Sequence, residues 1–335
     1  PAPAAGGDLR VSGTAPGHRV ETSHYRVDLD AKTGQIAGLV LPSAPGEALE
    51  HKLETNGAVH WNPDLYAPPH AWVHVSDWEK PAYAAQSGPV CFITRRSAPL
   101  PHLPKTHAAV TYRFYAGLPW FEVETVMEVG EDIDVQSLRN GEIVFNRKVI
   151  DELAWRDQDG VLRSMDLATA RPHPGHAVEI PPDVAWLAFL SRGRGVGVAG
   201  APVAFEAFNR NGGVPRLEQP YFYVACGPWF YWSRALVYSF GSNNPTRMLR
   251  VPAGSVYRER TRYVPFAAAK DDAACFARVD AVQRAAVAPL MVRTWQATDP
   301  RVPREWVIPI LTEHFEEGVK GSLGAPGADE QKKQK

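Results

Sequence analysis

Apolar and polar residues alternate with period two over long stretches of this chain. From His24 to Asp30, the residues Tyr25, Val27 and Leu29 fall on one side. From Ala109 to Tyr115, Val110, Tyr112 and Phe114 do the same. From Phe121 to Val129 the set Phe121, Val123, Thr125, Met127 and Val129 opposes Glu122, Glu124, Val126 and Glu128. From Ser255 to Phe266, Tyr257, Thr261 and Tyr263 oppose Arg258, Arg260 and Arg262. Such alternation predicts antiparallel strands with one buried and one wet face. Shorter runs predict strands at Ile36–Leu41, Ala71–Ser76, Pro89–Arg95, Glu142–Arg147, Ala185–Ser191, Gly195–Gly200 and Arg234–Phe240. Turn signals separate them: Lys32-Thr33-Gly34, Ala116-Gly117-Leu118-Pro119, Gln158-Asp159-Gly160, Asn211-Gly212-Gly213 and Pro252-Ala253-Gly254. One stretch has the helical period instead. Cys275, Val279, Val282 and Ala286 share a face, Asp271 or Asp272 can cap it, and Pro289 stops it. Many strands without interleaved helices predict an all-β fold, a large antiparallel sandwich with one peripheral C-terminal helix over about 271–288.

Composition narrows the function classes. The 335 residues carry 36 Lys and Arg against 37 Asp and Glu. That balance excludes a nucleic acid or an anionic membrane held by bulk charge. No apolar run reaches the roughly 18–20 residues that span a bilayer, so no membrane insertion is expected. The 30 Pro and 27 Gly punctuate many short elements. The Pro-rich stretches His102–Lys105 and Arg171–Asp183 read as loop insertions in one domain over 19–320, between a flexible segment 1–18 and a disordered tail 321–335. The start, Pro1-Ala2-Pro3-Ala4-Ala5-Gly6-Gly7, reads as a mature terminus left by signal-peptide removal, which predicts a secreted or periplasmic protein. Cys91, Cys226 and Cys275 are odd in number and form no CxxC pair, which argues against a disulfide framework or a cysteine zinc site. Cys91 and Cys226 read as small buried hydrophobes.

Three segments resemble the β-supersandwich of the galactose-mutarotase-like superfamily. They are the hairpin from Tyr25 to Leu39 through Asp30-Ala31-Lys32-Thr33-Gly34, the strand pair from Tyr112 to Glu124 through Gly117-Leu118-Pro119, and the turn Val251-Pro252-Ala253-Gly254-Ser255-Val256-Tyr257. The first is similar to the opening hairpin of sandwich domains in α-mannosidase-type glycosidases and rhamnogalacturonan lyases. The resemblance spans residues 20–270 and implies a carbohydrate ligand. The epimerases' own Asn-His pair followed by Phe-Asn is absent, which argues against mutarotation. These motifs are structural, so chemistry has to be read from individual side chains.

The richest stretch runs from His60 to Glu79 and holds Trp61, Tyr66, His70, Trp72, His74 and Trp78. In a strand over Ala71–Ser76, His70, Trp72 and His74 share a face. Two imidazoles there need partners, so the face reads as a sugar site with a general base, or as part of a metal site with Asp64, Asp77 or Glu79; the plain alternative is histidines bonded to backbone carbonyls. The only cofactor these residues suggest is a divalent cation. From Tyr221 to Arg234, seven aromatic residues fall within fourteen positions. Their rings, Trp229, Trp232 and Tyr231 among them, offer either sugar platforms or a hydrophobic plug. Arg234 beside them can grip a uronate carboxylate. In Ser137-Leu138-Arg139-Asn140-Gly141-Glu142 the Asn-Gly pair reads as a hairpin turn, with Arg139 and Asn140 as further carboxylate-neutralising candidates. His102, His107, His173 and His176 sit in Pro-rich loops. The glycines of Gly193–Gly197 lie between strand runs with no helix following, unlike a dinucleotide loop. The row Glu122, Glu124, Glu128 reads as a solvated sheet face.

These residues predict an enzyme acting on an oligo- or polysaccharide, first of all a polysaccharide lyase. Arg139, Asn140 or Arg234 would neutralise a uronate carboxylate, His70 or His74 would take the adjacent proton, and Tyr66 or Tyr231 would protonate the leaving oxygen. His60, Trp61, Trp72, Trp78, Trp229, Trp232 and Glu142 would bind sugar. A glycosidase or sugar epimerase using a carboxylate with a histidine is the rival enzyme; Asp64, Asp77, Glu79 and Glu142 are available, but no sequence spacing pairs them. A non-catalytic glycan-binding sandwich is the rival of another class.

Overall fold

The computed structural model describes residues 7–42, 61–66, 73–135, 137–145, 149–167, 177–181, 184–209, 222–226, 230–238, 249–285 and 291–296. The first strands in chain order are β1 (Arg10–Thr14), β2 (Gly17–Glu21), β3 (Arg26–Leu29), β4 (Ile36–Val40), β5 (Trp61–Tyr66), β6 (Val73–His74) and β7 (Ala82–Ser87). The middle of the chain gives β8 (Cys91–Leu100), β9 (Leu103–Tyr115), β10 (Phe121–Val129), β11 (Ile133–Val135), β12 (Ser137–Phe145), β13 (Glu152–Arg156), β14 (Leu162–Asp166), β15 (Ala177–Ile180) and β16 (Trp186–Ser191). The last are β17 (Val196–Asn209), β18 (Phe222–Cys226), β19 (Phe230–Tyr238), β20 (Leu249–Val251), β21 (Val256–Phe266) and β22 (Met291–Gln296), with helix α1 (Asp272–Arg284) between β21 and β22.

The fold is all-β and sandwich-like. Nine strands form one antiparallel sheet in the order β14-β13-β16-β17-β21-β10-β9-β8-β7, and β22 joins it in parallel against β17. A six-stranded antiparallel sheet runs β15-β18-β19-β12-β5-β6. The two sheets pack face to face: Trp232 of β19 stacks on Tyr263 of β21 at 6.4 Å, and Phe145 of β12 meets Phe189 of β16 at 5.0 Å. The alternation predicts this interface residue by residue. Phe121, Val123, Thr125, Met127 and Val129 are all buried, as are Tyr257, Thr261 and Tyr263. A four-stranded sheet, β1-β2-β3-β4, closes one end, where Tyr25 packs edge-on against Phe121 at 5.4 Å.

Helix α1 lies on the opposite face of the large sheet. Asp271 caps it, its side chain accepting from Ala274 N at 2.9 Å. Cys275, Phe276, Val279 and Val282 form a second apolar cluster with Trp186, Leu190, Val264 and Phe266. The predicted helical face is therefore the docking face, while residue 286 lies outside the described residues. Among those residues no helix is long and apolar enough to cross a membrane.

Several expectations change. Residues 10–18, expected to be flexible, form β1 and the start of β2. His102–Lys105 is not a loop insertion: β8 and β9 turn back on each other at residues 101–102, and His102 takes a positive φ of 63° there. Ala71–Ser76 is not one strand; β6 has two residues and a 3-10 turn, Val75–Asp77, follows. Asn140-Gly141 is not a hairpin turn but a break in register inside the nine-residue strand β12. Glu122 is not solvated. It is 6% exposed, with Arg113 at 3.4 Å and Arg260 at 3.9 Å. Cys91 is half-buried and Cys275 buried, both as free thiols. The stretch Arg171–Asp183, expected as a loop, contains strand β15 at Ala177–Ile180, while residues 171–176, 182–183 and 321–335 lie outside the described residues.

Candidate functional site

Strand β12 brings the polar residues together. Against β5 it pairs regularly up to Arg139, which opposes Asp64; against β19 the register already shifts once between Leu138 and Arg139, which opposes Ala235. Gly141 then takes φ 61°, and Gly141 and Glu142 together oppose Ser233 before pairing resumes at Ile143 with Trp232. Two residues against one is a β-bulge, with glycine at the left-handed position that other residues resist. In an unbroken strand, residues three apart face opposite sides. The bulge cancels one step, so Arg139 and Glu142 meet on the same side, Nη2 to Oε2 at 3.3 Å, each about 5% exposed or less. The guanidinium also lies over the Tyr231 ring, 5.1 Å from its centroid. Ser137 and Ser233 stand two residues from Arg139 and Tyr231. Their buried hydroxyls have no hydrogen-bond partner among the described residues.

The neighbouring strands extend this face. Asp64 is in register with Arg139 on one side and His74 on the other, and Glu142 is in register with Asn62. Residues directly opposite share a face. His74 is oriented by Asp77: its backbone N–H donates to Asp77 Oδ2 at 2.9 Å, and its Nδ1 lies 3.3 Å from the same oxygen. A carboxylate at Nδ1 favours the tautomer whose Nε2 carries the lone pair, the arrangement of a general base. Tyr231 on β19, Arg139 and Glu142 on β12 and His74 on β6 are thus carried by one sheet, with β5 between β12 and β6.

Other candidates fall elsewhere. Arg234 points into the sandwich, fully enclosed, and its Nε and Nη2 both donate to Glu259 Oε1 at 3.1 and 2.9 Å. Its guanidinium also covers Phe205 at 4.8 Å. Held this way, it is not a group that reaches a substrate carboxylate. Burial pushes the Glu259 carboxyl above its usual range, against the pull of Arg234. Asn140 is 0% exposed and in register with Arg234 on the same interior side. Trp232 is sandwiched between Tyr263 and Phe189, and Trp78 is 4% exposed with Nε1 donating to Pro99 O at 2.9 Å. Both are core rings rather than sugar platforms. His60, His70, Trp72, Trp229, His173 and His176 lie outside the described residues; Trp61 and Tyr66 are placed by backbone register alone, opposite Ile143 and Ser137. His102 and His107 are exposed. Among the described residues no three His, Cys, Asp or Glu side chains gather as a metal site.

Glu259 was not among the sequence candidates, yet its signal is present. It occupies the inward parity of Tyr257, Thr261 and Tyr263, a charged residue on the apolar side of an alternating strand.

No family model matches the sequence, and no curated protein does. Solved structures resemble the chain at the level of fold. A protein of glycosyl hydrolase family 38 from Enterococcus faecalis matches with a TM-score of 0.52 and 9% identity, over 83% of this chain and 33% of that one. An alpha-mannosidase from Enterococcus faecalis V583 gives a TM-score of 0.51 and 10% identity, over 83% and 32%. The chain thus spans about a third of the length of either. An alpha-N-acetylgalactosaminidase from Bifidobacterium bifidum is more distant, with a TM-score of 0.45 at 12% identity, over 79% and 38%.

Proposed function

We propose that this chain is a carbohydrate-active domain that cleaves glycosidic bonds on the polar face of its six-stranded sheet. The observation that carries the reading is the cluster at the β12 bulge, the Arg139–Glu142 pair over Tyr231, with Asp64 in backbone register between Arg139 and His74 and with His74 held by Asp77. The fold shared with a mannosidase supports a glycan ligand but assigns no residue. Hydrolysis is favoured over β-elimination. Elimination needs a cation to neutralise a uronate carboxylate, and Arg139 and Arg234 each already face a carboxylate of the protein. Hydrolysis needs two carboxylates across the bond, roughly 5 to 9.5 Å apart. Asp64 and Glu142 are diagonal neighbours on adjacent strands, a relation that spans about 7–8 Å between Cα atoms. In this reading Glu142 and Asp64 are the two carboxylates, Arg139 and Tyr231 position Glu142, and His74 bonds a sugar hydroxyl.

The experiment is a panel of neutral and uronate-bearing glycans, assayed both for new reducing ends and for near-ultraviolet absorbance. Reducing ends without absorbance, lost about 100-fold or more in Glu142→Gln, support hydrolysis. Absorbance that depends on His74 restores the lyase reading. Retardation in a glycan gel without turnover makes the chain a binding module.

A further inference from the structure

We propose that the interior of the sandwich holds a fixed water molecule beneath the β12 bulge, bound by Asn140, Thr125 and Glu259, and that this hydrated joint keeps Arg139 and Glu142 on one face. Three buried side chains from three strands carry polar atoms with no hydrogen-bond partner among the described residues: both amide atoms of Asn140, the hydroxyl of Thr125 and Oε2 of Glu259. All three residues are at least 97% buried. They are also neighbours. Thr125 is directly opposite Glu259 across β10 and β21, Asn140 is opposite Arg234 across β12 and β19, and Arg234 bonds Glu259 across the sandwich. Nε and Nη2 of Arg234 both donate to Oε1, and Oε2 turns toward the bulge. A Cβ on Gly141 would stand 2.8 Å from it.

The chemistry selects the occupant. A buried donor or acceptor left unmatched forfeits its hydration without return, so several at one joint call for a guest. The guest must accept from Asn140 Nδ2 and donate to Asn140 Oδ1 and Glu259 Oε2, while the Thr125 hydroxyl can do either. Arg234 and Glu259 cancel in charge, so a cation would be left uncompensated. A neutral molecule with two donors and two acceptors, with two to four polar partners at hand, is water. Its bonds would tie the bulge to β10 and β21, fixing the residues on either side of Gly141.

The test is a high-resolution crystal structure of the whole chain, together with amide exchange at residues 139–142 in the wild type and in Thr125→Val, which conserves shape and removes the hydroxyl. The inference expects a water within hydrogen-bond reach of Asn140, Thr125 and Glu259. It also expects exchange at the bulge to rise roughly tenfold in Thr125→Val while exchange in α1 is unchanged. Asn140 bonded directly to Glu259 with no density between them overturns it. So does a cation at the position, or unaltered exchange in a folded Thr125→Val. If that variant does not fold, the wild-type density decides alone. No substrate enters these readouts, so their failure is distinct from failure to cleave a glycan.

Discussion

Gly141 is the residue on which the candidate site turns. Its φ of 61° and its approach to Glu259 both exclude a side chain. Gly141→Ala is expected to cost about 1–3 kcal/mol in urea unfolding, from backbone strain alone, and more if Glu259 cannot yield. Glu259→Ala is expected to cost about 3–5 kcal/mol, because it leaves the Arg234 guanidinium enclosed without its carboxylate. Replacing both members by apolar residues of similar volume should recover most of that loss, since the pair's own attraction only offsets its desolvation. Calorimetry on the single and double variants separates the two terms. In sequence, Asn140-Gly141 carries the signature of a hairpin turn, because a two-residue turn and a bulge ask for the same left-handed glycine. What decides between them is Glu259, more than a hundred residues along the chain, and no local pattern contains it. Arg139, Asn140 and Glu142 were legible as a polar group. That a bulge divides them, with Asn140 inward and the other two outward, was not.

At the scale of elements, the long strands and the helix were readable because each has its own period. Strands β9, β10 and β21 alternate cleanly since one face meets the core. Strands β1 and β7 went unread for the converse reason: both are edge strands, exposed at nearly every position, and an edge with two wet sides has no apolar period. Helix α1 was legible through Cys275, Val279 and Val282, but its main anchor was not. Phe276 is fully buried, 4.8 Å from Trp186 and 5.9 Å from Phe266. Phe276→Ala is therefore expected to cost about 3–5 kcal/mol, and Asp271→Ala, which removes only the cap, about 0.5–2. Thermal unfolding that ranks the two the other way would mean the helix is held by its end rather than by its face.

At the scale of the whole molecule, alternation says that strands exist but not which ones pair. The order β17-β21-β10 joins segments far apart in the chain, and the six-stranded sheet collects β5, β12, β18 and β19 from across it. One long-range tie also carries a pH dependence. Asp8 accepts hydrogen bonds from the backbone and hydroxyl of Ser23 and from Gly117 N at 2.6 Å, linking the N-terminal segment to the turn between β9 and β10. Slight burial raises its carboxyl, but the Ser23 and Gly117 bonds outweigh that and bring it down from 3.8 to about 2. A carboxylate more acidic in the folded chain than in the unfolded one stabilises the fold only while it is ionised there. Its contribution is complete above the unfolded value of 3.8 and drains away as pH falls toward about 2. Asp8→Asn, which cannot carry the charge, should melt below the wild type at neutral pH. The gap should narrow once the pH drops below 3.8 and close below about 2. Melting curves of the two proteins across that range test it, and a gap that stays constant with pH would mean that Asp8 holds the N-terminal segment by shape rather than by charge.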